Sequence, residues 1–184
     1  MRLADLNALD GEAASRELLR CGGSSQWARA MADARPFADA GAMAAAADAI
    51  WTSLAPADWL EAFASHPRIG ETGGAAGAGR ASGSGGSGAS GTSDWSQQEQ
   101  AGLAVAADAT RRRLVEANRQ YEAGFGYIFI VCATGRTAGE MLDLLERRLR
   151  NEPGVELGVA AEEQRKIIRL RLAKLIGTEQ VTTT

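Results

Sequence analysis

The segment Tyr127–Ala133 constrains the fold most, because its pattern predicts a β-strand in a chain that otherwise reads as helical. The segment is short, apolar and rich in β-branched residues, which is typical of a buried strand. No second convincing strand exists elsewhere in the sequence to pair with it. A single strand would leave backbone N–H and C=O groups without partners, so in a helical protein these groups could face a ligand instead.

The remaining sequence predicts helices with recognisable ends. Apolar residues such as Ala47 and Trp51 recur at helical spacing, Asp10 can cap a helix, and Thr137 with Glu140 forms a capping box. The 184 residues, of which 45% are apolar, suffice for one domain with a full core. We expect an all-α, single-domain bundle over residues 1–184, with about seven helices and one short extended buried segment.

Between Thr72 and Thr92 the composition collapses to glycine, alanine and serine, with Arg80 as the only charge. Such low-complexity sequence cannot bury a core. We expect a flexible surface loop at 72–93 inside the single domain, because the cost of loop closure grows slowly with length. An interdomain linker is the alternative that composition alone favours.

Charge and cysteine usage exclude several classes of function. The net charge of −3 argues against a nucleic-acid partner, and Arg111, Arg112 and Arg113 predict a solvated helix face rather than a phosphate site. No apolar run approaches the length of a membrane span, and no signal peptide follows Met1. The only two cysteines form no C-x-x-C pair, so we expect free thiols, a cytoplasmic location and no Cys/His metal site.

His66 is the only histidine, and it lies in the motif Ser65–Glu71. Histidine can donate or accept a proton near neutral pH, so one well-placed imidazole can serve as a general acid or base. Pro67 ends the preceding helix, which places His66 at a helix C-terminus, where the helix dipole favours the protonated ring. The alternative is a structural histidine that caps a carbonyl and packs its ring.

Ser96 and Glu99 have the spacing of a capping box at the start of the next long helix. If the Glu99 carboxylate accepts a backbone N–H there, it is not free to bind a ligand. Both interpretations remain open from the residues alone.

Three segments, Trp59–Gly70, Ser96–Leu103 and Phe125–Ala133, recur in this order in a known family. They resemble the 2-oxo-4-hydroxy-4-carboxy-5-ureidoimidazoline (OHCU) decarboxylases of urate breakdown, and the resemblance extends from Leu6 to Ile176. It implies an all-helical enzyme without a cofactor, which converts OHCU to (S)-allantoin with loss of carbon dioxide. The implied partner is this small-molecule substrate, and a homodimer is expected by resemblance only.

The resemblance also implies roles for individual residues. His66 matches the catalytic acid, and Glu99 matches the essential carboxylate, which would orient the substrate hydroxyl and raise the pKa of His66. Gln100 matches an amide contact, and the segment from Phe129 to Ala133 matches a backbone-rich pocket wall. The implied substrate-binding residues are Pro67, Ser96, Gln97, Gln98, Glu99, Gln100, Phe129, Ile130, Val131, Cys132, Ala133 and Arg136.

The sequence departs from the family at two places near this wall. The family often has its basic residue directly after the alanine, where this chain has Thr134, so Arg136 is the weaker match. The family also usually has a basic residue where this chain has Gly124. An enzyme of the same scaffold acting on another ureide is therefore an alternative. A second alternative is a non-catalytic interaction module that docks a partner on Tyr127–Ala133.

Overall fold

The computed structural model describes residues 1–66 and 93–177, and it describes side chains for residues 1–66 and 108–177. The predicted all-α fold is confirmed for this part of the chain, with eight helices rather than about seven and no strand. The helices are α1 (Leu3–Ala8), α2 (Gly11–Gly22), α3 (Ser25–Asp33), α4 (Ala40–Ser53), α5 (Pro56–Ala64), α6 (Ser93–Phe125), α7 (Ala138–Arg148) and α8 (Pro153–Leu175). The predicted loop at 72–93 lies outside the described residues except for Ser93, which already begins α6.

Local capping rules account for several helix ends. Asp10 accepts the Ala13 N–H at 2.7 Å, and the predicted box of Thr137 with Glu140 is present at the start of α7. The second predicted box is wrong in its position. Because α6 begins at Ser93, Ser96 lies inside the helix and not at its N-cap.

The buried side chains form two hydrophobic cores. The larger core joins α1 through α5 to α8, and the smaller core joins α6 to α7. Residues from the apolar segment contribute to both, because Ile130 is buried in the larger core while Phe129 and Val131 are buried in the smaller one. The segment predicted to be extended therefore lies between the two cores and contributes side chains to both.

Residues 128–133 form neither a helix nor a strand. Side chains from three helices replace the missing strand partner. Asn118 accepts the Phe129 N–H at 3.1 Å, and Arg148 donates to the Ile130 carbonyl at 2.8 Å. Glu163 accepts the Cys132 N–H at 2.8 Å. Three backbone groups of this lone apolar segment are thus satisfied without a sheet.

No helix in the described ranges is both long and apolar enough to cross a bilayer.

Candidate functional site

The site begins at the C-terminal end of α5. Pro56 occupies the first turn of this helix. The helix ends at Ala64, as predicted from Pro67, because proline disrupts a helix interior. The Ser65 hydroxyl donates to the Ala62 carbonyl at 2.6 Å, and the His66 N–H donates to the Phe63 carbonyl at 3.1 Å. These bonds fix the half-buried His66 to the last turn of the helix.

The turn between α2 and α3 packs against this helix end. Gly23 has a φ of +77°, and a Cβ placed on it would lie 2.4 Å from the Ser65 Oγ. Only glycine combines that backbone conformation with so close an approach. The neighbouring Gly22 carbonyl accepts a hydrogen bond of 3.1 Å from the side-chain Nε2 of Gln164 on α8. Helices α2, α5 and α8 therefore meet around His66.

The electrostatic environment lowers the pKa of His66. Burial is the largest cause, and the positive charge of Arg171 on α8 adds to it, while Gln164 acts in the opposite direction. This direction is opposite to the one that the sequence predicted. The predicted cause was the Glu99 carboxylate, and the side chain of Glu99 is not among those described.

Three buried side-chain atoms have no hydrogen-bond partner within the described ranges. They are the His66 Nε2, the Gln164 Oε1 and the Tyr127 hydroxyl. The Tyr127 ring packs on Phe63, with 5.2 Å between the ring centroids, but its hydroxyl group lies on the side of Tyr121 and Glu156. His66 and Gln164 remain as the pair at the end of α5. Buried polar atoms are nearly always hydrogen-bonded, and a pair of exceptions beside the single histidine indicates a functional site.

The segment 129–133 is bound to the same helix as Gln164. Glu163, which holds the Cys132 N–H, directly precedes Gln164 on α8. Burial raises the pKa of Glu163, but hydrogen bonds from Lys166 and from the Cys132 N–H outweigh it, so its carboxyl group has a pKa below the usual value. Hydrogen bonds between described residues use none of the N–H groups of Ile130, Val131 and Ala133. These three amides are therefore the candidate ligand-binding groups of the segment.

A buried ionic network supports the other side of the same segment. Arg148 donates to the Glu156 Oε1 at 2.7 Å, and the Tyr121 hydroxyl donates to the same oxygen. Asn151 donates to the Glu156 Oε2 at 2.6 Å. The guanidinium carbon of Arg148 lies 4.6 Å from the centroid of the Phe129 ring. The guanidinium group of Arg148 and both carboxylate oxygens of Glu156 are paired in this way. The network therefore holds the segment 129–133 in place rather than offering a binding group.

The structure brings only some of the predicted site residues together. Both His66 and the segment from Phe129 to Ala133 have partners on α8, Gln164 and Arg171 for the imidazole and Glu163 for the Cys132 N–H. Arg136 is exposed in the turn before α7, where its charge acts on Glu140. Pro67 lies outside the described residues. For Ser96, Gln97, Gln98, Glu99 and Gln100 the structure gives a place in α6 but describes no side chain.

Two residues beside His66 were missed at the sequence level, namely Gln164 and Arg171. Gln164 is fully buried between Ala160 and Ile168 on the inward face of α8. A polar side chain on an apolar helix face was the signal that could have identified it. Arg171 gave no comparable signal, because arginine is common on helix surfaces.

The arginine run on α6 was predicted to be a solvated face rather than a phosphate site. Arg111, Arg112 and Arg113 are exposed, as predicted, and two of them pair with carboxylates at the surface. Among the described side chains, no three His, Cys, Asp or Glu residues come together as a possible metal site.

Comparison with known sequences gives a consistent set of relatives. The sequence model of a family described as OHCU decarboxylase matches residues 7–173. The uric acid degradation bifunctional protein TTL of Arabidopsis thaliana is 39% identical over 157 residues, which cover 85% of this chain and 45% of that protein. The OHCU decarboxylase of Amia calva is 40% identical over 80 residues, which cover 44% of this chain and 46% of that protein. The chain spans about half the length of these relatives.

Two solved structures share the fold. A crystal structure of an OHCU decarboxylase in the presence of (S)-allantoin is 37% identical, with a TM-score of 0.67, and the match covers 88% of this chain and 97% of that one. A crystal structure of (S)-allantoin synthase also has a TM-score of 0.67, over 96% of this chain and 54% of that one. At 21% identity the second structure supports the fold alone.

Proposed function

Since the chain belongs to the OHCU decarboxylase family, we propose that it converts OHCU to (S)-allantoin and carbon dioxide in urate degradation. One observation in the structure supports the proposal above the others. The single histidine lies at a helix end among buried polar atoms that have no partner within the described ranges, next to a wall with unused backbone N–H groups.

The substrate supplies its own electron sink, so the proposed reaction assigns no role to a cofactor. The bond between ring carbon C4 and the carboxylate carbon breaks, and its electron pair moves into the adjacent ring C=N bond. The ring nitrogen that receives the electrons takes up the proton that the 4-hydroxyl group loses as it becomes the ring carbonyl. C5 gains a second proton from the protein on one face and becomes the stereocentre of allantoin. The protein has to orient the carboxylate, stabilise the developing negative charge and deliver the proton to one face.

In this scheme His66 delivers the proton. Its lowered pKa makes the imidazole largely neutral in the free enzyme near neutral pH. A bound carboxylate would bring negative charge close to the ring and raise the pKa of His66, so that the ring takes up a proton as the substrate binds. Glu99 is proposed to bind the substrate hydroxyl, and its own charge would act in the same direction.

The cation and the wall amides complete the proposed site. Arg171 is half-buried and its charge already acts on His66, so it is well placed to bind the leaving carboxylate. The unused N–H groups of Ile130, Val131 and Ala133 would bind the carbonyl oxygens of the ring and the ureido group. Pro67, Ser96 and Gln100 remain proposed contacts by family resemblance.

The proposal also includes a cytoplasmic homodimer in which residues 1–184 form one domain. Both cysteines, Cys21 and Cys132, are free thiols, which suits a reducing compartment. Light scattering of the purified chain tests the dimer, and fractionation of the native cells tests the location.

The decisive experiment follows carbon dioxide release and allantoin handedness with OHCU generated in situ from urate. OHCU decays spontaneously to racemic allantoin, so an excess of the (S) form reports catalysis. We expect His66→Ala to lose the excess while keeping the helical fold, since general acid catalysis contributes about a hundredfold to ten-thousandfold. Exposed Arg111→Ala serves as the matched control and should keep full activity.

Racemic product at the uncatalysed rate from the wild-type chain would overturn the proposed reaction. An (S) excess that survives in His66→Ala would keep the reaction but remove His66 from its role. Glu99→Gln tests the second catalytic group in the same assay, and unchanged turnover there would favour the capping role for Glu99.

A further inference from the structure

We propose that Gln164 is a positioning residue for His66, whose Oε1 accepts the Nε2–H of the imidazole and leaves Nδ1 to exchange the proton with the substrate. The proposal rests on the function proposed above only in naming the substrate. Its structural content concerns which nitrogen of His66 carries a proton, and that can be tested on the free protein.

The orientation of the Gln164 amide follows from its partner. The Gly22 carbonyl can only accept a hydrogen bond, so the side-chain atom that lies 3.1 Å from it must be the nitrogen. The Oε1 then points away from Gly22. Gln164 is fully buried, and this oxygen has no hydrogen-bond partner within the described ranges.

The unpartnered nitrogen of His66 faces the same region. Its Nε2 is buried and lacks a partner within those ranges, and the Gly22–Gly23 turn that anchors Gln164 packs directly on Ser65, the residue before His66. Gln164 also acts on the imidazole, since it raises the pKa of His66 against the effects of burial and Arg171. Two buried atoms that each lack a partner are therefore neighbours of complementary type.

An amide oxygen can only accept, and this fixes the tautomer. A neutral imidazole bonded to Oε1 must carry its proton on Nε2, so its Nδ1 holds a lone pair. Protonation then occurs at Nδ1 without disturbing the bond to Gln164. The ring keeps one orientation in both charge states, which is what delivery of a proton to one face of a substrate requires.

The charged groups around this pair are few in the described residues. Arg171 on α8 is the cation that acts on His66. On α5 itself, Glu61 is engaged with the N–H and hydroxyl of Ser25. On α2, the carbonyl of Cys21 accepts a hydrogen bond of 3.3 Å from Arg171. Changes in the His66 titration on substitution of Gln164 can thus be assigned to the amide.

The experiment uses the fact that this chain has a single histidine. Nitrogen-15 NMR of a tag-free sample gives one imidazole, whose two nitrogen shifts report the tautomer and the pKa directly. We expect the Nε2–H tautomer for the wild-type protein above the pKa of His66. The Nδ1–H tautomer would overturn the proposal, whatever the behaviour of any variant.

Two variants extend the test. In Gln164→Leu the acceptor is gone, so we expect mixed tautomers, a lower pKa of His66 and a fall in kcat of about tenfold to a hundredfold, as is typical when the group that orients a histidine is removed. The acid limb of the pH–rate profile should move with the pKa measured by NMR. Gln164→Glu keeps an acceptor and adds a charge, so the pKa of His66 should rise.

The matched control is Gln120→Leu, because Gln120 is an exposed glutamine on α6. It should leave the tautomer, the pKa and kcat unchanged. An unchanged tautomer and pKa in folded Gln164→Leu would overturn the proposal. If the wild-type chain fails to decarboxylate OHCU, the proposed function fails, but the NMR result still decides the role of Gln164.

Discussion

Two buried polar regions lie on opposite sides of the wall segment 129–133, and they differ in how their hydrogen bonds are satisfied. On the α6–α7 side, Arg148, Glu156 and Tyr121 use one another and the Ile130 carbonyl. On the α5 side, His66 and Gln164 each keep a buried atom without a partner in the described ranges. The polar groups of Arg148 and Glu156 are thus paired within the first region, whereas the second region keeps groups that its described neighbours do not use.

The difference shows how the fold divides two tasks. A fully paired network fixes the position of the wall, because moving any member would leave a buried charge without its partner. Each unsatisfied buried group costs the free protein about 1–3 kcal/mol of stability, and a bound substrate would satisfy it. The two regions should therefore respond in opposite ways to mutation, with stability lost on one side and activity on the other.

The largest expected effect on stability is that of Arg148→Met. Removing this cation leaves the buried Glu156 carboxylate without its ion pair, and breaking a buried pair typically costs about 3–5 kcal/mol. Chemical denaturation measures the change in the free energy of unfolding. His66→Ala is the comparison from the other region, and it should cost about 1 kcal/mol or less.

The double variant Arg148→Met with Glu156→Leu sharpens this result. It removes both charges, so much of the stability lost in the single variant should return. A loss below about 1 kcal/mol in Arg148→Met alone would contradict the interpretation of this network as the support of the wall.

A smaller effect is expected from Glu163→Ala. Glu163 binds the wall segment through the Cys132 N–H and directly precedes Gln164 on α8. The variant leaves the Cys132 N–H without its acceptor, at a cost of about 1–3 kcal/mol. It should also lower kcat/KM for OHCU by about tenfold, or about 1.4 kcal/mol, because the wall amides lose their orientation. Unfolding curves and the (S)-allantoin assay measure the two effects.

The neighbouring Glu162 provides the control for this variant. Glu162 pairs with Arg165 nearer the surface, so Glu162→Ala should change stability by less than about 1 kcal/mol and leave turnover intact. Glu163→Gln keeps an acceptor for the N–H and should recover most of the activity. Equal effects of the two alanine variants would contradict a specific role for Glu163.

The sequence correctly predicted several helix ends that neighbouring residues determine. The cap at Asp10, the box at Thr137 and the end of α5 before Pro67 depend on neighbouring residues, so they could be predicted. The start of α6 could not, because Ser93 already adopts helical backbone and displaces the expected cap at Ser96. The residues alone offered an acid–base role for His66 and a ligand contact for the apolar segment beside structural alternatives, and the family resemblance selected the roles of catalytic acid and pocket wall, which stay predictions.

The environment of His66 depends on contacts that are distant in sequence. Burial by α2 and α8, the charge of Arg171 and the amide of Gln164 come from elements that no periodicity connects to the Ser65–Glu71 motif. The partners of the wall segment, Asn118 and Glu163, are equally distant. Because burial and Arg171 did not enter the sequence analysis, it predicted the opposite direction for the pKa shift of His66.

The smallest effect, and the one that tests the unsatisfied region most directly, is the dependence of stability on pH. The folded state lowers the pKa of His66, whereas the unfolded chain keeps the ordinary value of about 6.5. Above this value both states hold a neutral ring, and His66 contributes no pH dependence. As the pH falls below it, the unfolded state binds the proton more readily, so the folded state loses stability until the folded pKa is passed.

Unfolding free energies of wild type and His66→Gln at pH 7.5 and 5.5 measure this effect, because the other titrating groups are common to both proteins. We expect the wild type to lose stability relative to the variant at the lower pH. In Arg171→Met the loss should shrink, since one of the two causes of the lowered pKa is removed. If the wild type instead gains stability relative to His66→Gln as the pH falls, the folded pKa is raised. A carboxylate such as Glu99 would then outweigh burial and Arg171, and His66 would already be protonated in the free enzyme.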